Sequence, residues 1–197
     1  MTDLFIEPDD GTPLAPDERE GLRQNWITLR SELNAAEQDN IVKGATWAHR
    51  PRQVRRELLD DEFARTLHQR MFGDVWGWAG SYRLTERNIG VDAHRIPNDI
   101  IMMFDDVRYW RDNNTYPPDE LAVRLHHRLV SIHPLPNGNG RHARMMADLL
   151  IERFGGEPFS WGGGTLHDVG DLRTAYVEAL RAADDHDIGP LLAFARS

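Results

Sequence analysis

The sequence predicts an all-α bundle with one small β element, and three observations carry that expectation. Apolar residues recur four apart in several stretches, Phe63, Leu67 and Met71 in one and Leu121, Leu125 and Leu129 in another. That spacing lines them along one helix face. Only the stretch from Tyr82 to Pro97 drops the helical period. It reads instead as two short strands or an irregular hairpin, around Leu84 to Val91 and Ala93 to Ile96. Finally, 197 residues with 40% apolar content, six Trp and seven Phe suffice for a single packed core.

Taken in order, residues 1–16 are rich in Pro, Asp and Gly and read as an irregular N-terminal arm. Residues 17–50 read as an N-terminal helical segment of two helices, one around Leu22, Trp26, Leu29 and Leu33, the next around Ile41 and Trp47. His49-Arg-Pro51 interrupts it, and residues 51–197 make up the core. The first core helix, Leu58 to Phe72, has Asp60 or Asp61 available as its cap. Beyond the hairpin, Ile100, Met103, Phe104 and Trp110 mark a helix from Pro97 to Asn113. Tyr116-Pro-Pro118 then sets up the helix carrying Leu121 to Ile132. A helix near Leu172 to Ala183 and a short one from Ile188 complete the chain.

Composition narrows the function. A formal charge of −9 and the lack of a basic recognition helix argue against a nucleic-acid partner. No apolar run approaches the ~20 residues that a membrane span needs, and no secretory start is present. The chain has no cysteine, so disulfides and thiolate metal sites are excluded and a cytoplasmic location is expected.

The chemistry concentrates in Ser131-Ile-His-Pro-Leu-Pro-Asn-Gly-Asn-Gly-Arg-His-Ala-Arg144. Pro134 and Pro136 stop the incoming helix, because proline lacks an N–H and restricts the residue before it. Gly138 and Gly140 allow a tight turn and close approach of a ligand. A new helix starts at about Arg141, with Met145, Met146, Leu149 and Leu150 on its inner side. Helix amino ends expose unpaired N–H groups and partial positive charge, which suits phosphate. Gly138, Asn139 and Gly140 form the expected anion nest, and Arg141 and Arg144 add donor forks on the first turn. His133, at the end of the preceding helix, is the candidate general base, its ordinary pKa near ~6.5 falling in the useful range. His126, His127 and His142 lie nearby without a carboxylate to complete a chelating face, so they are read as supporting polar groups rather than metal ligands.

This loop resembles the signature of the Fic (Fido) family, His-Pro-Phe-x-Asp/Glu-Gly-Asn-Gly-Arg-x-x-Arg. His133, Pro134, Gly138, Asn139, Gly140, Arg141 and Arg144 match it, and Leu135 replaces the phenylalanine. Leu67 to Trp76, with Trp78-Ala-Gly-Ser-Tyr-Arg83, looks like the helix and turn of Fic cores. The whole chain, including Glu37-Gln-Asp-Asn-Ile41, looks most like the short Fic proteins called mobile mystery protein B. The resemblance implies a Fic-type helical bundle whose β-hairpin flap pins a target peptide. It implies a protein nucleotidyltransferase, an AMPylator moving AMP from ATP to a Tyr, Ser or Thr hydroxyl of a protein target. Arg141 would hold the α- or β-phosphate and Arg144 the γ-phosphate. Asn137 stands where the family's acidic residue holds Mg²⁺, and an amide oxygen binds a hard cation more weakly than a carboxylate. Many Fic proteins also carry an inhibitory helix whose glutamate pairs with the second arginine. Glu20 is the first candidate for that role, with Glu32 and Glu37 as alternatives. Other readings stay open: transfer of a different phosphate-linked group, or a silent nucleotide-binding or toxin–antitoxin partner protein.

Overall fold

The computed structural model describes Leu14, residues 19–163 and residues 169–197. The expected arm lies outside the described residues apart from Leu14, which is buried and donates its N–H to the Thr28 carbonyl at 2.9 Å. Where the arm should give way to two helices there is one. Residues 19–29 form turns, and α1 runs from Arg30 to Ala48. The carboxylate of Glu32 sets that start by accepting the N–H groups of Thr28 (2.8 Å) and Leu29 (3.1 Å), two donors that a helix beginning there cannot satisfy itself. Its buried stripe contains Leu33, Glu37, Ile41, Gly44 and Ala48, so an acid occupies a position where the spacing calls for an apolar side chain.

A single turn, α2 (Pro51–Val54), precedes α3 (Asp61–Phe72), which is capped by Asp60 accepting from the Phe63 N–H at 3.1 Å. α3 buries Phe63, Leu67 and Met71 as the spacing predicts, and α1 packs along it. Then follow α4 (Ile96–Asp112), α5 (Pro118–Ile132) and α6 (Asn139–Arg153), with α7 (Val169–Asp184) and α8 (Gly189–Arg196) closing the fold. α6 is central. Met145, Met146, Leu149, Leu150 and Ile151 are all buried, and α5 lies along its length.

The expected β-hairpin flap is not formed. Among the described residues the segment from Tyr82 to Pro97 contains bends and a 3₁₀ turn, Ala93–Arg95, but no strand. Side chains take the groups that strand pairing would use. The guanidinium of Arg83 binds the carbonyls of Thr85 and Val91, and the Glu86 carboxylate accepts the Ala93 N–H at 3.0 Å. The segment attaches to the central loop instead, through Arg83 N–H to Pro134 carbonyl (2.9 Å) and Val91 N–H to Ile132 carbonyl (3.2 Å). Among the described residues the one β pairing is an isolated bridge between Leu22 and Trp76, and no helix is long and apolar enough to cross a membrane.

Candidate active site

α5 ends on a residue in an unusual conformation. His133 has φ 51° and ψ 58°, the left-handed region, which a residue with a Cβ enters at a cost of roughly 1–2 kcal/mol. That twist turns the chain away from the α5 axis and leaves the half-buried imidazole lining a cavity of about 770 Å³. Burial lowers the pKa of this ring below its ordinary value, and the nearby positive charges of Arg83 and Arg87 lower it further. The imidazole is therefore neutral under ordinary conditions, the form that can accept a proton.

The loop between α5 and α6 is braced from within. Asn139 is buried, and its amide accepts the Leu135 N–H at 2.9 Å and donates to the Leu135 carbonyl at 2.8 Å. These two bonds tie the loop to itself, while Asn139 also lines the cavity. Gly138 has φ 77°, and a Cβ there would lie 2.7 Å from the Phe72 ring, so only glycine fits. Gly140 has open space around it, its nearest neighbour being the Tyr176 hydroxyl at 4.0 Å. The first intrahelical bond of α6 is His142 N–H to Gly138 carbonyl at 2.9 Å, leaving the N–H groups of Asn139, Gly140 and Arg141 without helical partners. Free amides at a helix amino end beside Gly140's open flank are groups that suit an anion.

The two arginines separate. Arg141 lines the cavity with its guanidinium 4.8 Å from the centre of the Phe72 ring. Arg144 is buried under the loop and does not line the cavity; its charge acts on His126, Asp148 and Tyr176. Asn137 is exposed at the cavity edge. Its side-chain oxygen accepts the Gly138 N–H at 2.7 Å, and its carbonyl accepts from His68 Nε2 at 3.1 Å. The other nitrogen of His68 accepts the Gly80 N–H at 2.9 Å, so His68 bridges the turn after α3 and the loop before α6. Burial first, and then His142, push its pKa well down and keep it neutral.

Of the three glutamates weighed for an inhibitory role, Glu20 is exposed in a turn and Glu32 caps its own helix. Glu37 alone reaches the site. It is 4% exposed, accepts from Trp76 Nε1 at 2.6 Å, and forms an ion pair with Arg141 at 2.6 Å. The sequence reading did not foresee several other walls of the cavity: Arg30 and Asn34 on α1, and Arg173, Tyr176 and Arg181 on α7. The α7 residues carry no local signal, because only the packing of that helix brings them here. A signal for Glu37 did exist, in an acid on the apolar stripe of α1.

Residues able to hold a metal do not assemble. Among the described residues no three His, Asp or Glu side chains converge as a cation would need. Asn137 has its oxygen on Gly138, Glu37 is held by Trp76 and Arg141, and Asp184 bonds His127 at 2.8 Å. This donor set does not fit a protein-held Mg²⁺, so the chemistry derived below runs through none.

An imidazole thus stands beside the amino end of a buried helix, inside an all-α bundle. Residues 58–151 match the Fic/DOC family. A relative from Drosophila grimshawi, named protein adenylyltransferase Fic, is 29% identical over 132 residues, which is 65% of this chain and 26% of that protein. The chain thus spans about a quarter of the length of that relative. Fic-1 from C. elegans superposes with a TM-score of 0.66 at 21% identity, covering 90% of this chain and 51% of that one. BepC, a VirB-translocated effector of Bartonella tribocorum solved with bound AMPPNP, gives a TM-score of 0.65 at 20% identity, covering 90% and 95%. These likenesses establish an all-α Fic-like fold.

Proposed function

We propose that this protein is a nucleotidyltransferase that moves AMP from ATP to a Tyr, Ser or Thr hydroxyl of a protein target. The observation that carries the reading is one cavity holding both a neutral imidazole, His133, and the open amino end of α6 with Arg141. Relatives named as adenylyltransferases and a Fic neighbour solved with a nucleotide analogue support the choice of donor. We also propose that the whole chain, including Glu37-Gln-Asp-Asn-Ile41, is one of the short Fic proteins called mobile mystery protein B.

In the proposed step the N–H groups of Gly140 and Arg141 and the Arg141 guanidinium hold the phosphates. The target hydroxyl oxygen attacks the α-phosphorus, and its proton passes to His133. The bond from the α-phosphorus to the bridging oxygen breaks, and pyrophosphate leaves with the electron pair. With no protein-held metal, Arg141 carries the main neutralising charge. Arg144, from beneath the loop, adds a positive potential rather than a direct contact.

Arg141 cannot serve a phosphate while it is paired with Glu37, so the protein as folded is restrained. Glu37 then plays the inhibitory part, on the first arginine of the motif instead of the second. The same ion pair, together with Asn137, is what favours the second reading, a silent nucleotide-binding partner protein. The two separate when the protein is incubated with lysate and ATP labelled at the α- or γ-phosphate. Label retained on protein from the α position alone supports nucleotidyl transfer. Label from the γ position, or from neither in a Glu37→Gln variant, rejects it.

A further inference from the structure

Arg83 is a cation with almost no water, and its ion-pair partner is distant and exposed. It is 2% exposed. The nearest carboxylate recorded for it, Glu86, stands 3.9 Å from Nη1 with its own side chain 65% exposed. A guanidinium does not shed its proton, so this placement is costly unless its donors are filled. Backbone carbonyls of two separate segments fill them. Nε donates to His133 at 2.7 Å, Nη1 to Thr85 at 3.0 Å, and Nη2 to Val91. The packing closes at the same point, because a Cβ on Gly90 would lie 2.6 Å from His133 Cβ and 2.9 Å from Arg83 Nη2. The carbonyl that Nε holds belongs to the residue in the left-handed conformation, and such a conformation persists only where its surroundings enforce it.

We propose that Arg83 is a positioning residue for His133: its guanidinium locks the left-handed backbone of the histidine, and thereby the aim of the imidazole into the cavity, while tying residues 85–91 against it. The inference rests on the reading of His133 as the base. Arg83 and Arg87, from the 82–97 segment, act on that ring directly. The cavity it lines carries further charges: Arg30 and Glu37 on α1, Arg141 on α6, and Arg173, Arg181 and Asp184 on α7. After burial, Arg83 and then Arg87 are what hold the imidazole pKa down. One arginine therefore supplies both an aim and a field, and the two can be pulled apart. Lysine keeps the charge but has no planar fork to span several carbonyls.

The experiment follows the His133 ring by NMR titration in the full chain, alongside nucleotidyl transfer per folded molecule and ATP affinity, for wild type, Arg83→Met and Arg83→Lys. In Arg83→Met the titration midpoint of His133 should rise toward ~6.5. Transfer should fall by about tenfold or more, as for a misplaced reacting group. ATP affinity should stay within about threefold, because the phosphates sit on α6. Arg83→Lys should keep the low midpoint and still lose transfer. Wild-type midpoint and wild-type transfer in Arg83→Met would overturn the proposal. If that variant does not fold, wild-type transfer in Arg83→Lys overturns it. If the wild-type protein transfers nothing, the reading of His133 as base fails instead, and a His133 midpoint unmoved by Arg83→Met still overturns the placement of Arg83.

Discussion

As the proposed base, His133 needs a neutral ring, and its surroundings decide how far into acid that form survives. Burial and the charges of Arg83 and Arg87 lower its pKa, so the neutral form persists below the ordinary histidine range. Transfer, measured as a pH–rate profile, should stay level as pH falls from 8 to about 6.5 and decline only below that. An acid limb centred at or above ~6.5 would mean that the ring is not held as described. At position 137 the side chain is the amide of Asn, its oxygen already occupied by the Gly138 N–H at 2.7 Å. A carboxylate there would offer a hard cation a charged oxygen. Asn137→Glu should therefore add a protein ligand that the wild type lacks, and lower by about tenfold the concentration at which Mg²⁺ brought in by ATP gives half-maximal transfer, the scale of one electrostatic partner. Superimposable Mg²⁺ titrations for the two forms would show that this position does not face the phosphates.

At the scale of elements, α1 is the proposed restraint on the site. Its apolar face packs along α3 and carries Glu37 onto Arg141. Replacing Glu37 by Gln keeps an oxygen for Trp76 and removes the charge that neutralises Arg141. ATP affinity, measured calorimetrically, should rise by about ten- to hundredfold, or one to a few kcal/mol, and automodification should rise with it. Glu20→Gly and Glu32→Gly should leave ATP affinity unchanged, although Glu32→Gly removes the cap of α1 and should lower stability by about 1 kcal/mol in denaturant titrations. If Glu37→Gln also leaves affinity unchanged, α1 is not the brake and a separate partner protein is the better candidate. The helices that pack by a periodic apolar face, α3, α5 and α6, were legible from residue spacing, and so was the cap Asp60. α1 was legible as helical but not in its start, because Glu32 acts on two backbone donors that no apolar pattern marks. The hairpin expected over Tyr82–Pro97 failed for a related reason. Its alternation was real, but Arg83 and Glu86 claim the backbone groups that strand pairing would have used, and a side chain's reach is not written in a period.

Across the whole molecule, buried histidines make the fold sensitive to acid. Burial holds His142 at about 4 and His126 at about 3, and His68 lies well below its ordinary value, again through burial first. All three have folded-state pKa values below the unfolded ~6.5, so the unfolded chain binds protons first as pH falls. Their stabilisation is fully present above ~6.5 and drains away below it, by on the order of 2 kcal/mol each for His142 and His126 by pH 5. Asp148 runs the other way. Burial raises it to about 6, so its penalty is relieved over the same window and offsets part of the loss. Urea unfolding should thus show a lower midpoint at pH 5 than at pH 7, and His142→Gln should flatten that dependence. The site's own layout was legible in part for the same reason that it is compact. His133, Gly138, Gly140 and Arg141 are close in sequence, whereas Glu37 and Tyr176 reach the cavity, and Arg83 the His133 carbonyl, only through the packing of the whole bundle.

The central claim is that one cavity divides its labour, with proton removal on His133 and phosphate binding on the amino end of α6. The most direct measurement compares His133→Ala with the wild type in two assays, nucleotidyl transfer from α-labelled ATP and ATP affinity by calorimetry. Transfer should fall by about a hundred- to ten-thousandfold, the range for a removed general base, while ATP affinity stays within about threefold. Transfer at the wild-type rate would contradict the assignment of the base, and lost ATP binding would show that His133 holds the fold of the site rather than the proton.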